Sequence, residues 1–322
     1  LDCILRKYAN PRGMMPARMT SAMALAFVMA GSPVVKAATC SCAGAPLLSF
    51  IDTRAIEKGD LFVGYAAEYH DISDLVSGSS EIADETGRDR NSFSQVLTGS
   101  YAITDLWSVS ALVSYVEHER IVSTSFLGKT STSGLGDSVV MARYTPIFIT
   151  PFSRHQLSLG LGARIPTGED DFDSGFVASE DMQPGVGAWG ALAWAGYNYA
   201  FDQAATKQLY ASASFLSNGE NDREYSFGDE YVVDAGFSHQ FHASLSYAAA
   251  LRYRNADADE RFGFEIPNTG GAWLDFVGSV QVSPTERLSV ALTGRVPISR
   301  NLNGTLQFTT SYAYSLILSY GF

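Results

Sequence analysis

The sequence predicts an all-β fold: a transmembrane antiparallel up-and-down β-barrel of about 12 strands, preceded by a cleaved signal peptide. Three observations carry that prediction. Apolar side chains recur at every second position along many segments, which is the period of a strand with two unlike faces and not that of a helix. The connections between these segments alternate between short and long. Beyond residue 37 there is no run of 18 apolar residues, so the 46% hydrophobic content of the 322-residue chain is not gathered into a membrane helix.

The first element is a targeting segment. "MMPARMTSAMALAFVMAGSPVVKA" (14–37) sets basic Arg18 before an apolar core from Ala22 to Ala30 and closes on small residues. That order predicts a secretory signal cut after Ala37, with residues 1–13 an untranslated leader ahead of Met14. Residues 38–58 follow, with Cys40 and Cys42 in "TCSCAG". Two cysteines one residue apart cannot staple a domain. The segment reads as a periplasmic or plug element carrying an inert oxidised pair.

The barrel occupies 59–322. Its strands are predicted at 60–70, 91–102, 107–118, 136–146, 155–165, 186–200, 208–217, 229–240, 243–254, 271–282, 287–297 and 305–322. In "LFVGYAAEY" one face carries Leu61, Val63, Tyr65, Ala67 and Tyr69; in "WSVSALVSY" it carries Trp107, Val109, Ala111, Val113 and Tyr115. The last strand opposes Tyr312, Tyr314, Leu316, Leu318 and Tyr320 to a small, hydroxylated set that includes Ser311, Ser315 and Ser319. The connections at 102–106, 149–155, 202–208, 239–243 and 283–286 are short. Those at 71–90, 119–135, 166–185, 218–228, 255–270 and 298–304 are long. Tight turns on one side, longer loops on the other and an even strand number are the habits of outer-membrane barrels. Closure is required because lipid offers no partner to an open sheet edge.

Two stretches carry a family resemblance. "GLGDSVVMARY" (134–144) and "LGLGARIPTGEDD" (159–171) are similar to the Gly-x-Gly-Asp…Tyr and Leu-Pro-Thr-Gly-Asp motifs of outer-membrane proteins encoded with the phenol meta-cleavage pathway. Ile165 and Glu169 depart from that pattern. The resemblance extends over roughly 58–322. It implies a bacterial outer-membrane transporter of small hydrophobic or aromatic compounds. No energy-coupling segment and no Gly-x-Ser-x-Gly, zinc-binding helix or phosphate loop is recognisable, so passive uptake without enzyme activity or cofactor is expected. The alternative to a transporter is a barrel scaffold that docks a periplasmic partner through residues 38–58. The terminal Phe322 likewise resembles the signal by which the barrel-assembly machinery recognises its clients.

Parity along the strands gives the lumen-lining set. Arg143, Arg164, Arg252, Arg254 and Arg295 all fall on the inner face, where they avoid the roughly 2–4 kcal/mol that a charge facing lipid near the midplane costs. Asp137, Asp234, Asp275 and Glu68 share that face, as do the apolar Phe62, Leu112, Met141, Val232, Trp273 and Val277. Two readings stay open for the charges: cross-strand pairs that hold the barrel together, or a path for solute.

Net charge is −12, and the acidic long loops "EDDFD" (169–173), "ENDREYSFGDE" (220–230) and "DADE" (257–260) disfavour nucleic acid and strongly anionic partners. Asp171 and Asp173 lack the glycine-spaced loop that would complete a calcium site, so no metal is expected. The loops read as a hydrated surface bridged to lipopolysaccharide by divalent ions, and lipid is the expected partner of the outer face. A hydrolase alternative rests on His242, Ser244 and Asn255, which resemble the His-x-Ser pair and asparagine of outer-membrane phospholipase A. In the predicted topology Asn255 lies at the far end of a strand from the pair, beyond hydrogen-bond reach.

Overall fold

In the computed structural model the described residues are 57–85, 87–123, 128–172 and 179–322. The predicted leader, the signal segment, Cys40, Cys42 and Asp173 lie outside them. Twelve staves make the barrel: β1 (Leu61–Asp71), β2 (Arg88–Ala102), β3 (Trp107–Val122), β4 (Lys129–Leu135 continuing as Ser138–Ile147), β5 (His155–Ile165), β6 (Gly190–Ala200), β7 (Lys207–Asn218), β8 (Glu230–His242), β9 (Leu245–Ala256), β10 (Gly271–Val282), β11 (Leu288–Leu302) and β12 (Tyr312–Gly321). Each pairs antiparallel with its neighbour in sequence. β1 pairs with β12 as well as β2, which closes the cylinder in a register that sets Val63 opposite Tyr320 and Tyr69 opposite Tyr314.

The two-residue period sorts side chains as the sequence predicts. On β2, Leu97 and Tyr101 are exposed outside while Ser94, Val96 and Ser100 are buried inside. Leu161, Leu251, Leu292 and Leu316 are likewise exposed on the outer face. Aromatic rings gather in two belts there. Trp107–Tyr144, Tyr199–Phe201 and Tyr320–Phe322 have ring centroids 4.8, 5.3 and 4.8 Å apart at the short-turn end. Tyr69–Tyr314 and Tyr231–Tyr253, at 5.2 and 5.8 Å, lie toward the long-loop end. Such girdles mark where a barrel leaves hydrocarbon for headgroups.

Among the described residues the wall has four register shifts. Those between Tyr144 and Ile147 and between Gln240 and His242 lie at the short-turn end, and the other two reset the inner face nearer the long loops. Tyr115 and Leu112 of β3 face Leu135 and Val139 of β4, three steps against four. The extra residue sits at Gly136–Asp137, so the inner face passes from Thr132 and Gly134 to Asp137, Val139 and Met141. On β11, Leu274 and Asp275 face Ser299 and Pro297, and Ile298 is the extra residue. The expected loop at 119–135 is therefore mostly strand, leaving only residues 123–128 as the connection. The expected strand at 305–322 begins only at Tyr312. Residues Gln307–Thr309 leave the wall to pair with Asp74–Ser77, which pairs in turn with Ser80–Ile82.

That small sheet has its own core of Ile72, Leu75 and Phe308, with Ile82 and Leu306 packed against it. Arg300 ties it to the barrel through Asp74 at 2.5 Å. The loops at 219–229 and 257–270 form a second small sheet from Tyr225–Ser226, Glu260–Arg261 and Phe264–Glu265. The loop at 166–189 carries a turn of 3-10 helix at Glu180–Met182. All three systems sit at the long-loop end.

Candidate functional site: the barrel interior

The interior has two unlike walls. On β2–β7, Val96, Leu112, Val139, Met141, Leu192, Trp194 and Leu216 pack with Ala66 of β1 into one apolar cluster. Glycines make room for its largest members. A Cβ on Gly160 would lie 2.7 Å from the Met141 sulfur, and one on Gly196 would lie 2.3 Å from the Trp194 ring. Met141, expected at the lumen, is therefore part of a packed wall.

The facing wall, on β8–β11 with β1, carries paired charges in descending rungs. Arg254 gives Nη2 and Nε to Glu230 Oε2 at 2.5 and 2.6 Å, and its guanidinium lies 4.5 Å over the ring of Trp273. Trp273 is held in turn by its Nε1 donating to Thr309 Oγ1 at 2.9 Å. One step deeper, Arg252 lies 3.9 Å from Asp234. Below that, Arg295 sits 4.0 Å from Asp275 and 3.9 Å from Glu68, and 3.1 Å from His70 Nδ1. His70 Nε2 is 2.8 Å from Glu68. The cross-strand pairing weighed from the sequence is thus present, and the pairing is what makes these ions tolerable inside.

The remaining predicted residues sit elsewhere on the inner face. Arg143, near the short-turn end, donates from Nε to Ser108 Oγ at 3.2 Å. Phe62 is half-buried at that same end, opposite Gly321. Arg164 and Asp137 form a buried pair at 3.6 Å where the two motif stretches meet. There the Asp137 carboxylate accepts the Gly168 N–H at 3.1 Å and the Val186 N–H at 3.0 Å. The Thr167 hydroxyl accepts the Ser138 N–H at 2.9 Å, and Glu169 N–H donates to the Leu135 carbonyl at 2.8 Å. Both motifs therefore build an anchor: a bulged strand clasps residues 167–169 and 185–186 and holds them inward.

Gly168 has no room for a side chain. A Cβ there would lie 2.7–2.9 Å from backbone atoms of Gly185, Gly136 and Asp137. Gly168→Ala is expected to cost about 1–3 kcal/mol, read as a lower urea midpoint for loss of the compact, heat-modifiable gel band.

Sequence reasoning missed the contacts that hold the loop down. Arg90, 1% exposed, gives Nη1 to Asp181 Oδ2 at 2.6 Å and Nη2 to the Asp181 carbonyl. Thr132 donates its hydroxyl to the Met182 carbonyl, and Met182 is fully buried. Arg223 of the next long loop grips Glu180 with two bonds at 2.6 and 2.7 Å. Reading 169–173, 220–230 and 257–260 as a hydrated acidic surface is corrected for Glu230 and Asp259. Both are buried, Glu230 on Arg254 and Asp259 accepting the Tyr225 hydroxyl at 2.6 Å. Glu180 and Asp181 lie outside those stretches. Burial pushes the Asp181 carboxyl up, but Arg90 and Arg120 beside it outweigh that and hold it below its ordinary value. Extending the inner parity of β2 upward through Ser94 and Ser92 would have reached Arg90. Nothing in the sequence points to Asp181.

The hydrolase constellation does not assemble. His242 Nδ1 and Ser244 Oγ lie 3.0 Å apart at the exposed turn between β8 and β9. Asn255 pairs with Tyr231 and Ala272 at the opposite end of β9, roughly 35 Å away at about 3.3 Å per residue.

Residues 115–267 match the model of a protein family described as "Putative MetA-pathway of phenol degradation". The family resemblance read from the sequence is borne out. The match includes both motif stretches and the loop they anchor. No curated protein sequence matches the chain. Among solved structures, an outer membrane channel from Pseudomonas putida is similar with a TM-score of 0.69 at 13% identity, covering 84% of this chain and 98% of that one. The beta domain of the Bordetella autotransporter BrkA is similar with a TM-score of 0.49 at 11% identity, covering 83% and 100%. At such identities the likeness is one of fold. The chain is an outer-membrane-type β-barrel of twelve antiparallel strands.

Proposed function

We propose that this protein is an outer-membrane channel for the passive uptake of small hydrophobic or aromatic compounds, driven by the solute's own gradient. The observation that carries the reading is the split interior: an apolar wall from Val96 to Trp194 faces a ladder of paired charges from Arg254 to Glu68. An open aqueous pore has no use for the first. A barrel filled only for stability has little use for the second, since apolar packing would serve as well. The fold of the Pseudomonas putida channel supports the same reading.

On this reading the short turns face the periplasm and the long loops face outward. The outer face meets outer-membrane lipid, and the acidic loops meet lipopolysaccharide through divalent ions. The lumenal path runs past Arg143, Arg164, Arg252, Arg254, Arg295, Asp137, Asp234, Asp275, Trp273, Phe62 and Met141. Planar-bilayer recording of the purified barrel tests the reading. Small, discrete currents, together with faster entry of neutral aromatic solutes into proteoliposomes, are expected. Large unselective currents would rule out a narrow passage.

A further inference from the structure

We infer that Arg254 is a swinging gate in this passage, moving between two carboxylates across the face of Trp273. The inference rests on the channel reading. Two recesses line the β8–β11 side of the interior. The upper is walled by Glu230, Phe227, Asp259 and Thr269, the lower by Trp273, Asp275, Arg295 and Thr309, and Arg254 borders both. A single side chain thus borders both a recess under the long loops and one beside the Asp275–Arg295 rung.

The parts around Arg254 differ in freedom. Trp273, 5% exposed, is pinned by its bond to Thr309 and by packing on Val76 and Leu302. It is a fixed platform. Arg254 hangs on a long, rotatable stem, its Nε and Nη2 drawn to one oxygen of Glu230.

Directly opposite Arg254 on β10 stands Trp273, and two residues deeper on the same face stands Asp275. That spacing is roughly 7 Å. A guanidinium that lets go of Glu230 can therefore slide over the indole toward Asp275. At the upper end it has Glu230, and at the lower end it shares Asp275 with Arg295 and with Arg252 directly opposite. In between it keeps a cation–π contact. The guanidinium keeps a partner throughout, and Glu230, once released, stays in the field of Arg252 and Arg164, which limits the cost of uncoupling the buried pair. With Arg254 down or aside, the face of Trp273 is open to a planar ring arriving from the upper recess.

Single-channel recording of the full-length protein, with Arg254→Ala and Glu230→Gln beside the wild type, tests this. Each protein is first checked for the heat-modifiable folded band, and Arg254→Gln replaces any alanine variant that lacks it. The expected result is a rise of roughly twofold or more in mean current for Arg254→Ala, and for Glu230→Gln a longer open time at unchanged unitary size. Glu230→Gln removes a charge without removing volume, so a change there cannot come from a wider hole. Wild-type currents that neither variant alters would overturn the gate and leave the channel reading standing. A rise in Arg254→Ala alone would make the arginine a fixed obstruction and equally overturn the swing. Silence from every protein would overturn both readings.

Discussion

Asp181→Ala is expected to release the 166–189 loop from the barrel interior. The substitution leaves Arg90, 1% exposed, without its closest carboxylate, and removing one member of a buried ion pair costs about 3–5 kcal/mol. In proteoliposomes the variant should be cut within this loop by protease added outside, under conditions that leave the wild type whole. Its mean single-channel current should rise as well. Acid should reproduce the effect without a mutation. The Asp181 carboxyl is held below its ordinary value, so its contribution is fully present above the unfolded carboxylate pKa. That contribution fades as pH falls through the lower folded value. Protease resistance is therefore expected to survive at pH 5 and to be lost only below about pH 4.

Asp137→Ala should be the more damaging of the two to folding. It strips a partner from buried Arg164 and leaves the Gly168 and Val186 amides without their acceptor. An orphaned buried charge alone accounts for about 3–5 kcal/mol, with about 1–3 kcal/mol more for each unsatisfied amide. The heat-modifiable band should vanish at a much lower urea concentration than in wild type. Asp137→Asn, which keeps one acceptor oxygen, should fall between them. A wild-type urea profile for Asp137→Ala would mean that the motif does not anchor the loop.

The strands were legible because lipid on one side and a mixed interior on the other force a two-residue alternation, and the short–long order of the connections marks it as that of a membrane barrel. Tyr312 to Tyr320 against Ser315 and Ser319 says this without help from any coordinate. The pairing of Arg252 with Asp234 and of Arg295 with Asp275 was legible at the level of which face each shares. What escaped is what breaks the period. The bulge at Gly136–Asp137 flips the parity of β4 above it, so a count carried through from Met141 misplaces Thr132. The extension of β3 and β4 past the hydrocarbon carries polar residues, such as Arg120 and Thr132, on a strand that reads as loop. The inward fold of residues 179–189 is set by contacts between distant segments, Arg90 with Asp181 and Asp137 with Val186, and local composition shows only acidity.

The central claim is that inner and outer residues alternate around a closed wall. Single cysteines placed in turn from Ala313 to Tyr320, with Cys3, Cys40 and Cys42 replaced by serine, test it most directly when labelled with an environment-sensitive fluorophore and exposed to spin-labelled lipid. Quenching is expected at positions 314, 316, 318 and 320 and absent at 313, 315, 317 and 319. Uniform quenching, or none at all, would contradict the barrel and everything inferred from its interior.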